Sequence, residues 1–267
     1  MEECQNRQIW TTHFVQTADQ ISHNAIVYAY GNGAVDIVAA ERAIFREPGW
    51  ERSGWDDEER KKPAPREAGK QAQGADMLRS MRRARAKLRR LALANNFDYF
   101  VTLTLDKAKI DRYDPKIITK TLNQWCDNMV RRNGLRYVLV PERHQDGALH
   151  FHGFFAGRGL KVVDSGHQDS CGNPVYNLPQ WGYGFSTAIR LYGEYPRAVG
   201  YVCKYIGKQE GERPMGRWYY SGGPLQEPPK LYADLDMTEL EAHPDGIKFE
   251  TPGGKMLVIH TKTEVNL

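Results

Sequence analysis

His150 and His152 stand one residue apart in Ala148-Leu149-His150-Phe151-His152-Gly153-Phe154-Phe155-Ala156. The run is apolar and aromatic, which predicts a β-strand. Side chains at i and i+2 of a strand share a face, about 6–7 Å apart along the backbone, so the two imidazoles can converge on one cation while Leu149 and Phe151 face a core. A third ligand is at hand upstream, in Val140-Pro141-Glu142-Arg143-His144. Either Glu142 or His144 completes the set, depending on a hairpin register that spacing alone does not determine. Two imidazoles and a carboxylate suit a hard divalent ion such as Mg²⁺ or Mn²⁺, whereas zinc more often brings cysteine or a third histidine. An isolated His-x-His is equally consistent with two unrelated histidines on a wet sheet face.

The second constellation is Val199-Gly200-Tyr201-Val202-Cys203-Lys204-Tyr205-Ile206-Gly207-Lys208. On a helix, Tyr201 and Tyr205 fall one turn apart on one face, and Lys204 and Lys208 do the same. A free phenol has a pKa near 10 and is a poor nucleophile at neutral pH; ammonium groups nearby favour the phenolate, and a metal on a phosphate makes phosphorus more electrophilic. Tyrosine can then form a covalent intermediate. A Tyr-x-x-x-Tyr pair without such surroundings packs its rings in a core and leaves its hydroxyls at the rim.

The flanking sequence predicts the elements that would position these groups. Residues 24–40 form two β-branched runs around Gly31-Asn32-Gly33, a hairpin signal. Residues 46–76 are rich in charge, Pro and Gly and predict a linker or exposed loop. From Met77 to Asn96, Leu78, Met81, Ala84, Leu88 and Leu91 recur at helical spacing, and the other face carries Arg79, Arg82, Arg83, Arg85, Lys87, Arg89 and Arg90 with no acid among them. Unrelieved like charge of that kind favours a polyanion over a merely solvated face.

A strand over 98–106 follows, then a helix opened by Asp114-Pro115, carrying Ile118, Leu122, Trp125 and Met129 on one stripe and closed by Asn133-Gly134. Strands are expected at 135–142, 148–156 and 183–192, with an exposed insertion over 157–180 and a helix over 196–208. The order predicts an α+β fold, a central antiparallel sheet with helices packed on one face. Met256–Thr261 reads as one more strand, and the rest of the region after Pro224 carries no clear pattern.

Composition narrows the class. A net charge of +4 is a mild basic bias, too small to name a partner without the clustering described above. Cys4, Cys126, Cys171 and Cys203 are scattered, with no Cys-x-x-Cys, which points away from a zinc ribbon or disulfide framework and towards a reducing compartment. The N-terminus does not read as a signal peptide, and no apolar run approaches the roughly 20 residues of a membrane span, so a cytoplasmic protein is expected.

Three segments in order, Phe100-Val-Thr-Leu-Thr-Leu-Asp106, Pro141-Glu-Arg-His-Gln-Asp-Gly-Ala-Leu-His-Phe-His-Gly-Phe-Phe155 and Tyr201-Val-Cys-Lys-Tyr-Ile-Gly-Lys208, resemble the motifs of the HUH endonuclease superfamily, specifically rolling-circle replication initiators of phages and plasmids. The resemblance covers roughly residues 77–225 and implies a ferredoxin-like, RRM-like palm. It implies flanks at 1–45 (a hairpin region of unassigned role) and 226–267 (a C-terminal extension). It implies that His150, His152 and Glu142, in preference to His144, bind Mg²⁺ or Mn²⁺. Tyr201 and Tyr205 match the two-tyrosine pattern in which the phenols alternate as nucleophiles, with Lys204 on the phosphate or phenolate; should one tyrosine suffice, it is Tyr201.

The reaction implied is nicking and joining of single-stranded origin DNA through a 5′-phosphotyrosine, leaving a 3′-OH for a host polymerase in a bacterial cell. The Thr102/Thr104 strand would line the site. Arg79, Arg82, Arg83, Arg85, Lys87 and Lys208 would hold DNA, and Trp181, Tyr183, Trp218, Tyr219 or Tyr220 could stack on bases, although most such aromatics belong to cores. No P-loop motif occurs, so unwinding would fall to a host helicase or to supercoiling. The alternatives are a relaxase or transposase of the same superfamily, or a non-catalytic nucleic-acid-binding α+β domain. Relaxases usually carry three histidines and an N-proximal tyrosine, whereas here the tyrosines follow the histidines.

Overall fold

The strand expected to carry the histidine pair forms over Leu149–Ala156 and lies inside a seven-stranded antiparallel sheet. The structure, a computed structural model, describes residues 22–46, 70–193, 195–208, 213–251 and 253–262, with side chains from 74 onward in the first helix. The linker expected over 46–76 and the N-terminal residues read for a leader fall largely outside the described residues.

In chain order the elements are β1 (Ser22–His23), β2 (Ala25–Ala29), β3 (Ala34–Ala40), β4 (Phe45–Arg46), α1 (Lys70–Asn95), β5 (Tyr99–Thr104), α2 (Pro115–Asn133), β6 (Arg136–Arg143) and β7 (Leu149–Ala156). Then come β8 (Val163–Gln168), β9 (Pro174–Asn177), β10 (Ser186–Arg190), α3 (Tyr195–Tyr205), β11 (Tyr220–Gly222), β12 (Leu231–Ala233), α4 (Met237–Glu241), β13 (Gly246–Thr251) and β14 (Gly254–Lys262). The chain divides into two compact units, Glu67–Glu227 and the pairing of Met1–Arg66 with Pro228–Leu267.

The larger unit is α+β, its strands ordered β11-β6-β7-β5-β10-β9-β8. Asp114 caps α2, its carboxylate accepting from the Lys116 and Ile117 N–H groups, and Gly134 closes that helix at φ 62°. Ile118, Leu122, Trp125, Cys126 and Met129 of α2 pack on Val101, Leu103, Leu149, Phe151 and Phe155. Helices do not all lie on one face, as the sequence had suggested. On β7, Phe155 meets Trp125 of α2, whereas His152, of opposite parity, meets Tyr205 of α3. The sheet is therefore covered on both sides, which is why β6 and β7 read as nearly continuous apolar runs. The first helix packs against α3; the Arg85 Nε–H donates to the Ile206 carbonyl and the Tyr195 hydroxyl to the Ala92 carbonyl.

Three sequence expectations need correction. Helix α1 starts at Lys70, inside the expected linker. Leu78, expected on its apolar stripe, is 50% exposed; the packed residues are Leu88, Leu91, Ala92 and Leu93. The stretch 157–180 is not a bare insertion, because β8 and β9 add a hairpin to the sheet. Val163–Gln168 is polar and solvated on both faces, so only its backbone ladder marks it as a strand.

In the other unit, the expected hairpin forms as β2–β3, turning through Gly33 at φ 78°. It is completed from the far end of the chain: β12 pairs with β2, and β14 pairs with β3 and carries β13. Val27, Val35, Ile37, Leu240, Leu257 and Ile259 form its core.

Gly153 lies on β7 beside His152. A methyl group there would fall onto the Val138 carbonyl and within 2.9 Å of Leu139 Cα, both backbone atoms of β6. Gly153→Ala must therefore spread the two strands that hold the site. The expected result is a loss of about 4 kcal/mol or more in urea unfolding, or no recoverable folded protein.

Candidate active site

Antiparallel pairing of β6, β7 and β5 sets the site's rows. Glu142 lies opposite His150, and His150 opposite Thr104; one row along, Val140, His152 and Thr102 are in register. All the polar members of these rows point to the face covered by α3. Glu142 Oε2 is 3.0 Å from Nε2 of both His150 and His152, and the two Nε2 atoms are 3.1 Å apart. Among the described residues, Glu142, His150 and His152 are the group of ligating side chains that could hold a metal ion. The triangle is small enough for a divalent ion with bonds of about 2.0–2.2 Å to reach all three corners. His144 is not part of it: its side chain is 60% exposed in the turn, beside Asp146.

His152 is the most constrained ligand. Its ring is stacked between Phe100, at 6.2 Å, and Tyr205, at 4.0 Å. Thr102 Oγ1 lies 3.1 Å from Nδ1. A tautomer with Nδ1–H donating to Thr102 leaves the Nε2 lone pair facing the cleft. Burial, followed by His150, pushes the His152 imidazole down from 6.5 to about 4, partly opposed by Glu142. The ring is thus neutral, as a metal ligand must be.

The consequence for stability has a definite sign. Below pH 6.5 the unfolded chain takes up a proton that folded His152 refuses until about pH 4, so stability of the metal-free protein falls as pH drops through that window. His152→Gln should flatten that part of a Tm-against-pH curve; an unchanged curve would assign the loss to other groups.

The Glu142 carboxyl is pushed up by burial, yet hydrogen bonds from Lys208 and His150 outweigh this and hold it below its ordinary value. Lys208 Nζ sits 2.6 Å from Glu142 Oε1 and 5.3 Å from the centre of the Tyr205 ring. Lys208, which the sequence placed among DNA contacts, therefore lies in the cleft itself.

Helix α3 brings the tyrosines in. The Tyr205 hydroxyl donates to the Tyr201 oxygen over 2.7 Å, and the Tyr201 ring meets Phe100 edge-on at 5.8 Å. Tyr205 is half-buried, and its pKa is raised by burial and then by the bond to Tyr201, so it keeps its proton and acts as donor. Tyr201 is 51% exposed and presents its oxygen outward. Lys204 is exposed on the same helix. Gly207 ends α3 at φ 77°, where any side chain would collide with Met81 of α1.

The basic helix divides. Arg82, Arg83 and Lys87 are exposed, Arg79 is paired with Asp76 at 2.6 Å, and Arg85 is turned onto the Ile206 carbonyl. Of the aromatics considered for base stacking, Trp181, Trp218 and Tyr220 are buried, Tyr183 packs on the core and Tyr219 is half-buried. Phe185, which the sequence reading passed over, is 78% exposed.

No described helix is long and apolar enough to cross a membrane. Among curated proteins and among solved structures, none matches the chain. Residues 98–210, the span from β5 past α3 that carries Thr102, Glu142, both histidines, both tyrosines and Lys208, match the model of a family of replication-associated proteins, the ORF2 type, which points to a part in starting DNA replication.

Proposed function

We propose that the protein is a rolling-circle replication initiator of the HUH type, which nicks and rejoins single-stranded DNA through a 5′-phosphotyrosine with a divalent cation held by Glu142, His150 and His152. The observation that carries this reading is the stacking of Tyr205 on His152, which sets the hydrogen-bonded phenol pair of α3 over the Glu-His-His cluster. A bound Mg²⁺ or Mn²⁺ would polarise a non-bridging oxygen of the scissile phosphate and raise its electrophilicity.

The residues of the chain do the rest. Tyr201 loses its proton and its oxygen bonds to phosphorus; the P–O3′ bond breaks and the departing 3′ oxygen takes up a proton. Tyr205 donates to the Tyr201 oxygen, which favours the charge developing there before attack. Lys204 would meet the phosphate from solvent. Arg82, Arg83 and Lys87 would hold the DNA backbone. The link to Tyr201 conserves the phosphodiester energy for rejoining, and the free 3′-OH would prime a host polymerase.

The test is incubation with a single-stranded origin oligonucleotide labelled at its 3′ end and Mn²⁺, followed by a denaturing gel. A labelled, protein-sized band that is absent with EDTA supports the reading. A salt-sensitive gel shift with no covalent band would make the protein a binding module instead.

A further inference from the structure

Phe185 is the most exposed large hydrophobic side chain among the described residues, and its position is fixed by the site strand. The Thr104 N–H donates to the Phe185 carbonyl at 2.8 Å, the Asp106 N–H to the Tyr183 carbonyl at 2.9 Å, and the Trp181 indole N–H to the Thr104 carbonyl at 3.0 Å. Gly184 lies so close that a Cβ there would fall on the Thr104 carbonyl. The segment leading into β10 is thus pinned to β5, and Phe185 is held out on a rigid backbone.

Parity says which side it is on. Ser186 and Ala188 are buried on the α2 face opposite Leu103 and Val101, so Thr187 and, one pairing further, Phe185 fall on the other face. That face carries the ligands. Phe185, Thr104, His150 and Glu142 make one row across four adjacent strands, which puts the Phe185 position about 10 Å from the His150 strand at ordinary strand spacing. An apolar ring held in water at that distance has no role in the core.

Resting on the reading above, we infer that Phe185 is a stacking platform for a nucleobase next to the scissile phosphate, positioning the single strand along the row from β10 to β6. Every base offers a π-face, so the contact supplies affinity and register more than sequence choice. Rigid presentation limits the ordering cost on binding. A base-paired strand cannot offer its face to this ring, so the contact selects single-stranded over duplex DNA.

The test measures binding without chemistry. Anisotropy of a fluorescein-labelled, random-sequence single-stranded oligonucleotide is titrated in EDTA with wild type, Phe185→Ala, Phe185→Leu and Phe185→Trp, beside the same sequence as duplex. Phe185→Ala is expected to weaken single-strand binding by roughly tenfold or more. Phe185→Leu should recover little of this and Phe185→Trp most of it, with duplex binding unchanged. Single-strand affinity that is indifferent to Phe185→Ala, or that Leu restores as fully as Trp, overturns the stacking role whatever the adduct gel shows. A missing adduct with Phe185-dependent binding intact overturns the nickase reading alone.

Discussion

Phenylalanine at both Tyr201 and Tyr205 is expected to abolish the covalent DNA adduct, a drop on the order of 10³-fold or more, while leaving the fold in place. The two effects separate because the rings and the hydroxyls do different jobs. The Tyr205 ring stacks on His152 and the Tyr201 ring packs on Phe100, contacts that phenylalanine keeps. The hydroxyls bond to one another, so the double replacement leaves neither donor nor acceptor stranded in the pair.

The single variants should be unequal. Tyr205 holds its proton and donates it to Tyr201, which marks Tyr201 as the first nucleophile. Tyr201→Phe should therefore remove nearly all of the adduct, and Tyr205→Phe should slow its formation about 10- to 100-fold by removing one hydrogen bond to the developing charge. Full adduct in Tyr201→Phe would reverse the two roles, and adduct persisting in the double variant would end the tyrosine mechanism. Circular dichroism on each variant checks that the fold is kept.

How far the site could be read in advance depended on whether a local rule governed each residue. His150 and His152 were legible because a strand's period of two puts i and i+2 on one face whatever the strand pairs with. Glu142 depended on hairpin register, a non-local quantity; the structure sets it directly opposite His150 and leaves His144 in the turn. Lys208 showed only a helical spacing to Lys204, and its place on Glu142 follows from how the end of α3 meets β6.

Aromatic type does not encode exposure, so Trp181 and Trp218 looked as available as Phe185 until packing was known. The split of helices over two faces was written in the unbroken apolar run Phe151–Ala156, with Gly153 inside it, more clearly than in the helices themselves. Least legible was the second unit. Its hairpin at 25–40 reads cleanly, but β12 and β14 join it from more than two hundred residues away, where only tertiary pairing could specify partners.

Removing a direct ligand should have the second large effect, and it differs in sign from removing Lys208. Glu142 is the only anionic donor of the three and bridges both imidazoles with one oxygen while its other oxygen meets Lys208. Losing an outer hydrogen-bond partner of a ligand costs about 10–100-fold in metal affinity, so Glu142→Gln or His152→Ala should weaken Mn²⁺ binding by at least about 100-fold. Lys208 competes for the same carboxylate as a cation would. Its ammonium is 60% exposed and so screened by solvent, and Lys208→Ala should tighten Mn²⁺ binding only a few-fold.

That opposition is diagnostic. A mere unfolding effect would move all three variants the same way, whereas ligand loss and competitor loss move the affinity in opposite directions. Isothermal titration of the metal-free protein with MnCl₂ reads both. Equal affinity in wild type, Glu142→Gln and His152→Ala would place the cation elsewhere and leave the carboxylate and imidazoles as a buried polar network tied together by Lys208.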